Sequence, residues 1–454
     1  MTKGWSYRDA LRAIWARSGY DRGYVSNPFW GDEAAALGLR RTAALLDRLG
    51  RPHERYAVIH VAGSKGKGST CAVAASLLRA AGYRVGLSTS PHLHAYRERI
   101  ALDGEPLNES AFAALTQRAV GEAEALARAA PDLGEVTAFE LTTAMALETF
   151  AAAGCAVAVV EVGMGGRLDA TNVLRADVAA ITALDLEHTA VLGRTLPAIA
   201  AQKAGIIEPR RPVVVSPQEP AALAVIEAAA TEQGSPLLLA GRDWRWEGPW
   251  RDFAATGLWG RYERLRSGLV GAHQVENACT ALAAVSLIGD RLPVSEAAAR
   301  RGLAETRWPG RFERVRIDGG PEIVVDGAHT PASAVVLAET LAQEYPGRPA
   351  VLVLGTMRDK DPAALCRALA PVVASVVATE ARSPRAAATA DVATGAVAAG
   401  LASDAVAGVA AALTRARDIA GRDGLVLVTG SLSVVAEARE ALGLARSDPP
   451  VDGP

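Results

Sequence analysis

Residues 56–62, Tyr-Ala-Val-Ile-His-Val-Ala, have the apolar character of a buried strand and run with no polar linker into the turn Gly63-Ser64-Lys65-Gly66-Lys67-Gly68-Ser69. From 69 to 81 the apolar spacing turns helical, and Gly82 stops it. A strand with apolar residues on both faces must be covered on both sides, and a strand that passes through glycines directly into a helix is the opening of a crossover unit. Further strand patterns follow at 85–87, 157–162, 178–181 and 213–215, with helical patterns between them, as at 139–153 and 196–204. This alternation predicts an α/β fold built on a mainly parallel sheet.

The pattern then breaks. Residues 242–267 place Trp244, Trp246, Trp250, Trp259 and Tyr262 among Arg and Gly, which predicts short antiparallel strands with half-buried aromatics. Two helical patterns at 274–288 and 295–303 lead to Arg307-Trp308-Pro309-Gly310-Arg311, where Pro and Gly suit a hinge. Beyond it strands at 322–325, 350–354, 372–377 and 425–428 again alternate with helices. A chain of 454 residues exceeds one compact domain, and we expect a large unit over 1–306, a hinge over 307–312 and a smaller α/β unit over 313–454. The Ala-rich stretch 386–411 reads as helix, and 449–454 as a frayed tail.

Composition narrows the function. A net charge of −2 does not advertise a nucleic-acid partner, and the longest apolar run, near 150–160, is too short to span a membrane. Cys71, Cys155, Cys279 and Cys366 lie singly in apolar stretches, as buried thiols do. The charged start (Lys3, Arg8, Asp9, Arg12) does not resemble a signal sequence, so a cytoplasmic protein is the expectation. Arg outnumbers Lys 43 to five. Each lysine (Lys3, Lys65, Lys67, Lys203, Lys360) is therefore a candidate for chemistry that a permanently charged guanidinium cannot perform.

Gly63 to Thr70 is the strongest chemical signal. At a strand-to-helix turn, backbone N–H groups and the helix dipole cradle phosphates, Lys67 reaches a terminal one, and Ser69 or Thr70 offers a hydroxyl to Mg2+. The strict pattern is broken by Val61 in place of the first glycine and by Gly68 after the lysine. Glu161, which ends a strand and precedes Gly163-Met164-Gly165-Gly166-Arg167-Leu168-Asp169, is placed to hold Mg2+ on the phosphates. A turn with a solvated glutamate would carry the same residues. Asp185-Leu186-Glu187-His188 forms another strand-end cluster, in which His188 is either a ligand or locally satisfied. Lys203 sits on an otherwise apolar helix, where snorkelling to solvent is the bland alternative. Gln274 and Asn277 open a helix and are suited to an adenine edge, while Asp326 with His329, and Thr429-Gly430-Ser431, end strands of the second unit.

In order, these segments resemble the folylpolyglutamate synthase and dihydrofolate synthase family of the Mur ligase superfamily: His60 to Gly63 with Gly66 to Ser69, Ser90-Pro91-His92, Phe139-Glu140, Glu161 to Asn172, His188, Lys203 to Ile206, His273-Gln274 with Asn277, Trp308 to Arg311, Asp326 to His329, Asp359 to Asp361 and Thr429 to Leu432. The resemblance implies a large P-loop-type parallel-sheet ATPase domain followed by a smaller, Rossmann-like glutamate ligase domain. It implies an ATP-dependent ligase that joins L-glutamate to a pterin-linked carboxylate through an acyl phosphate. Gly63, Ser64, Lys65, Gly66, Lys67, Gly68, Ser69 and Thr70 would hold ATP, with Asn277 on adenine, Arg311 on the γ-phosphate and Asp326 on ribose. Two Mg2+ ions would take Ser69, Ser90, Glu161, His188 and a carbamylated Lys203, a modification open to an amine and closed to a guanidinium. The pterin would lie near Thr137, Ala138, Phe139, Leu168, Asp169 and Ala170, and glutamate near His329 and Ser431, in a monomer.

Four residues depart from the family pattern: Lys65 for Asn, Glu187 for Asp, Gln202 for Glu and Thr330 for Asn. Two other functions stay open at this stage. One is a Mur-type amide ligase with a different acceptor carboxylate, the other a nucleotide-binding module without chemistry.

Overall fold

The computed structural model describes residues 4–18 and 32–449; Lys3 and 450–454 lie outside them. The first sheet holds β1 (Ala57–Ala62), β2 (Val85–Ser88), β3 (Ile100–Leu102), β4 (Glu105–Pro106), β5 (Val157–Glu161), β6 (Val178–Ile181), β7 (Val213–Val215) and β8 (Leu237–Leu239), in the spatial order β4-β3-β2-β5-β1-β6-β7-β8. Every residue of β1 is buried, and it pairs in parallel with β5 and β6, setting His60 opposite Val160 and Ala179. On one face Ile59 and Val61 pack with Leu77, Val275 and Ala281; on the other Val58 packs with Leu141 and Phe150. The absence of polar alternation in β1 thus reflects helices on both faces.

The edge ribbon β3–β4 is antiparallel and was not expected from the strand patterns. Its turn is Asp103-Gly104, with φ of 52° and 88° at the two residues, the dipeptide that favours a tight hairpin. The Trp-rich segment does form antiparallel strands, β9 (Arg245–Glu247), β10 (Phe253–Gly257) and β11 (Gly260–Leu265). Trp244 is buried and stacks on Trp246 at 5.6 Å between ring centroids, fastening this ribbon to the core that contains Leu77 and Val275.

The second sheet contains β12 (Glu313–Arg316), β13 (Glu322–Val325), β14 (Ala350–Leu354), β15 (Val373–Ala378), β16 (Ser403–Ala405) and β17 (Leu425–Thr429), ordered β12-β13-β17-β14-β15-β16 with only β12 antiparallel. The Ala-rich stretch is not one helix. Gly400 and Gly408, both at φ 81°, bracket β16 and separate the helices Thr389–Ala398 and Val409–Ala420. The four cysteines are buried and unpaired. Among the described residues no helix is long and apolar enough to cross a membrane.

Candidate active site

The glycine turn after β1 is pinned from behind. The N–H groups of Ser64 and Lys65 both donate to the Ala183 carbonyl at 3.0 Å, the Thr182 hydroxyl donates to the Lys65 carbonyl at 2.6 Å, and the Ser64 hydroxyl donates to the Asp185 carbonyl at 3.0 Å. The following helix, Lys67–Ala80, begins two residues earlier than the apolar spacing indicated, so Lys67, Gly68 and Ser69 form its first turn, whose N–H groups have no partner within the helix. Gly66 caps it at φ 85°, and a Cβ there would stand 2.2 Å from the Asn277 Oδ1. Asn277, which also donates to Gln274 Oε1 at 3.0 Å, is thereby brought onto the loop. A Cβ on Gly68 would meet the Trp308 indole at 3.2 Å. The glycine after the lysine, which breaks the strict phosphate-loop pattern, makes room for the segment joining the two sheets.

Glu161 ends β5 with only 6% of its surface exposed, and the Ser90 N–H donates to its Oε2 at 3.0 Å. Burial pushes this carboxyl up, while Lys67, the Ser90 N–H and Arg311 oppose the shift. Lys203 does not snorkel: it is 4% exposed and its Nζ donates to the Gly63 carbonyl at 2.8 Å. Burial first, then Lys67, bring its pKa down to about 7, against the pull of Glu187 and Asp169. His188 is exposed in a left-handed conformation at φ 52° and starts the short helix Thr189–Leu192.

The second sheet meets this loop through Glu187. Its Oε1 lies 3.3 Å from Lys65 Nζ and 3.7 Å from His329 Nε2. Burial alone would raise the Glu187 carboxyl, but the nearby His329 side chain and the charges of Lys65 and Lys67 hold it below the usual carboxylate range. Since a carbonyl only accepts, His329 Nδ1 carries the proton it donates to Gly327 O at 2.8 Å, which leaves Nε2 toward Glu187. Asp326 accepts from Phe312 N and Ala328 N, both at 2.8 Å, and so fixes the connecting segment to the end of β13. Arg311 donates to the Gly310 carbonyl at 3.1 Å. Ser431 is buried and caps the helix Leu432–Ala441 by accepting from Val434 N at 3.2 Å.

Several residues expected near the pterin have local tasks. Thr137 caps the helix Ala138–Ala152 in a reciprocal pair with Glu140, whose carboxylate takes two hydrogen bonds from Arg41 at 2.6 Å each. Asp169 is turned inward and accepts from Met164 N, Thr171 N and the Thr171 hydroxyl. Ala138 and Ala170 are buried, Leu168 is half-buried, and Phe139 faces a small cavity with Ser88, Ser90, Thr143 and Glu161. Arg99 also lines this cavity and was not singled out from the sequence, nor was Thr182 behind the phosphate loop. A polar residue at the end of a predicted strand, as Thr182 is after β6, was the available signal.

Among the described residues no group of three His, Cys, Asp or Glu could hold a metal by itself. Glu161 and the Ser90 hydroxyl share the cavity, and the buried Ser69 lies in the first helical turn. This oxygen set suits Mg2+ whose remaining ligands are phosphate oxygens and water. Lys203, as an unmodified amine donating to the Gly63 carbonyl, adds no oxygen to this set.

Residues 61–285 match the Mur ligase middle domain and 310–432 the Mur ligase glutamate ligase domain. The fold and site are those of the Mur-type ATP-dependent ligases. The dihydrofolate synthase/folylpolyglutamate synthase of Mycobacterium tuberculosis is 38% identical over 378 residues, covering 79% of this chain and 77% of that protein. Its Escherichia coli K12 counterpart is 37% identical over 411 residues, covering 90% and 92%. The structure of Mycobacterium tuberculosis folylpolyglutamate synthase complexed with ADP superposes with a TM-score of 0.84 at 34% identity, over 90% of this chain and 96% of that one. An Escherichia coli structure in complex with DHPP and ADP gives 0.79 at 36% identity, over 89% and 93%. The chain belongs to the dihydrofolate synthase/folylpolyglutamate synthase family.

Proposed function

We propose that this enzyme ligates L-glutamate to the carboxylate of dihydropteroate or of a folate, converting ATP to ADP and phosphate. The names of the relatives and the ADP and DHPP complexes of the neighbours support the substrate classes. The observation that carries the reading is Lys67: it stands at an open helix N-terminus, makes no hydrogen bond or ion pair with a described residue, and acts with Arg311 on the buried Glu161. That is a cradle for the terminal phosphate of a nucleotide.

A carboxylate resists an amine. An acceptor oxygen therefore attacks the γ-phosphorus and ADP leaves; the amine of glutamate then attacks the acyl carbon and phosphate leaves. Lys67 and Arg311 lower the cost of the charge that spreads over the transferred phosphoryl group. Asn277 takes adenine, Asp326 ribose, His329 and Ser431 the glutamate side. The pterin takes the region of Phe139 and Leu168. Glu161, Ser69 and Ser90, with His188 and carbamylated Lys203 at a second position, would hold Mg2+, which supplies countercharge to the phosphates when bound. The lowered pKa of Lys203 supports carbamylation, because only the neutral amine attacks CO2. Residues 1–306 would carry the nucleotide and 313–454 the glutamate, and closure about 307–312 would keep water from the acyl phosphate. We place the enzyme in the cytoplasm as a monomer.

The test is ADP release by the purified protein with Mg2+, L-glutamate and either dihydropteroate or tetrahydrofolate. Release no faster than without acceptor refutes the reading. Intact mass under bicarbonate tests the carbamate, and an unmodified amine there removes it.

A further inference from the structure

One acid of the second unit holds the Trp-rich ribbon of the first. Glu344 ends the helix Pro331–Glu344, and its side chain is 3% exposed. Between β9 and β10, Trp250 Nε1 donates to Glu344 Oε1 at 3.0 Å and the Arg251 guanidinium donates to Oε2 at 2.5 Å. Arg314 of β12, just past the connecting segment, donates to the same Oε2. Its guanidinium carbon lies 5.6 Å from the ring centres of Phe312 and Tyr345 and 6.0 Å from that of Trp250. A single buried carboxylate therefore takes charge-assisted hydrogen bonds from the ribbon and from the strand that follows the connecting segment.

The other end of the same helix stands at the candidate active site. The N–H groups of His329 and Thr330 donate to Ser333 Oγ at 3.1 and 3.0 Å, which ties the His329 backbone to the first helical turn, and His329 Nε2 lies 3.7 Å from Glu187 Oε1. Between the ends, Thr340 is buried, and a Cβ on Gly271 would stand 3.1 Å from its Oγ1; Gly271 precedes the helix Ala272–Ser286, which carries Gln274 and Asn277. With Thr340 as the point of contact, Glu344 lies about 6 Å along the helix on one side and His329 about 16 Å on the other, so a shift at the ribbon is enlarged at His329. The phosphate loop is pinned separately, by Thr182 and the Ala183 carbonyl. We infer that Glu344 is a positioning residue: by docking its helix on Trp250 and Arg251 it sets His329 against the phosphate loop, and the ribbon thereby serves the use of glutamate and not the binding of nucleotide. This rests on the proposed ligase reading and deepens it.

The experiment measures acceptor-dependent ADP release, with glutamate and ATP varied in turn, for wild type, Glu344→Ala, Glu344→Gln and Trp250→Phe, each alone and in a His329→Ala background. Glu344→Ala should raise the KM for glutamate roughly tenfold or more, as expected when a charged acceptor is taken from three donors, and leave the KM for ATP and the binding of ADP within about twofold. Glu344→Gln, whose amide oxygen still serves one donor, and Trp250→Phe, which removes the indole N–H and keeps a ring, should fall between. In the His329→Ala background the same substitutions should add less than about twofold, because the group they position is gone. A merely bracing role predicts a lower melting temperature with the wild-type KM for glutamate, or losses that multiply with that of His329→Ala, and either result overturns the inference. If His329→Ala is too slow to measure, the split between the two KM values decides alone. If Glu344→Ala does not fold, Trp250→Phe decides in its place, a wild-type KM for glutamate counting against the inference. A wild type without acceptor-dependent release refutes the ligase reading itself, whereas variants that match an active wild type refute only the role of Glu344.

Discussion

The end of the chain is fastened across the molecule by Asp448. Tyr7 Oη donates to its Oδ1 at 2.8 Å, the Tyr96 N–H donates to its Oδ2 at 2.7 Å, and its own N–H donates to the His94 carbonyl at 3.1 Å. His94 Nε2 accepts from Arg439 at 3.0 Å, so its Nδ1 carries the proton and donates to Ser447 Oγ at 3.2 Å. Arg439 in turn pairs with Glu313, whose other oxygen accepts from Gly310 N at 2.8 Å. A line of contacts thus runs from the connecting segment to the tail, and Asp448→Ala should cut it. The substitution removes an ionised acceptor from two donors; at this half-buried position the loss is about 2–3 kcal/mol in total, the lower part of the range for hydrogen bonds to charged groups. If all of it acts on the closed arrangement, the open population rises roughly 30- to 150-fold. Asp448→Asn should be milder, about 1 kcal/mol, because the amide oxygen still serves Tyr96 while the Tyr7 hydroxyl turns to accept from the new NH2. Small-angle scattering and proteolysis at 307–312, both without nucleotide, read the opening. The reasoning fails if Asn disrupts as much as Ala, or if Asp448→Ala lowers the melting temperature without increasing the radius of gyration or cleavage.

Three other outcomes follow from the site. Gly66→Ala, at φ 85° and with its Cβ driven toward Asn277, should weaken ATP binding at least tenfold by titration, with a strain of about 1–2 kcal/mol in the melt. Glu276 is raised to about 7 by burial, so the folded chain holds its proton more tightly than the unfolded one; stability is fullest below pH 4.5 and falls as pH rises toward 7. Glu276→Gln should match wild type in melts at pH 4.5 and exceed it by about 1–3 kcal/mol at pH 8. Lys203→Ala should reduce turnover at least a hundredfold with little change in the melt, and short carboxylic acids such as acetate should restore part of it; normal turnover would remove the proposed role.

The parallel order and the phosphate loop were legible because each depends on a local pattern, apolar continuity in β1 and glycines at a strand-to-helix turn. The β3–β4 hairpin was legible too, in Asp103-Gly104, but its strands are too short for alternation to register. Thr137 with Glu140 spells a reciprocal cap, so its structural task could have been read beside the substrate role implied by resemblance. Arg99 was hidden for a different reason. In a chain with 43 arginines its type carries no information, and what distinguishes it is burial without a carboxylate partner among the described residues, a property that exists only after folding.

Lys65 and Glu187 illustrate the converse. Read singly, each is a departure near the phosphates, one adding positive charge and the other lengthening an acid. Folded, they are one ion pair at 3.3 Å, so the extra methylene of Glu187 reaches the extra ammonium and the pair is neutral where Asn with Asp would carry one negative charge. The scarcity of lysine then sorts itself. Lys65 is paired with Glu187, Lys360 with Asp359 at 3.1 Å, and Lys203 is spent on Gly63 O. Of the described lysines, Lys67 alone retains an uncommitted ammonium, at a helix start whose cap glycine offers no side chain to its N–H groups and leaves them open to an anion. The two departures therefore leave the loop with a single available cation, which is what a site that must bind a triphosphate and release a diphosphate requires.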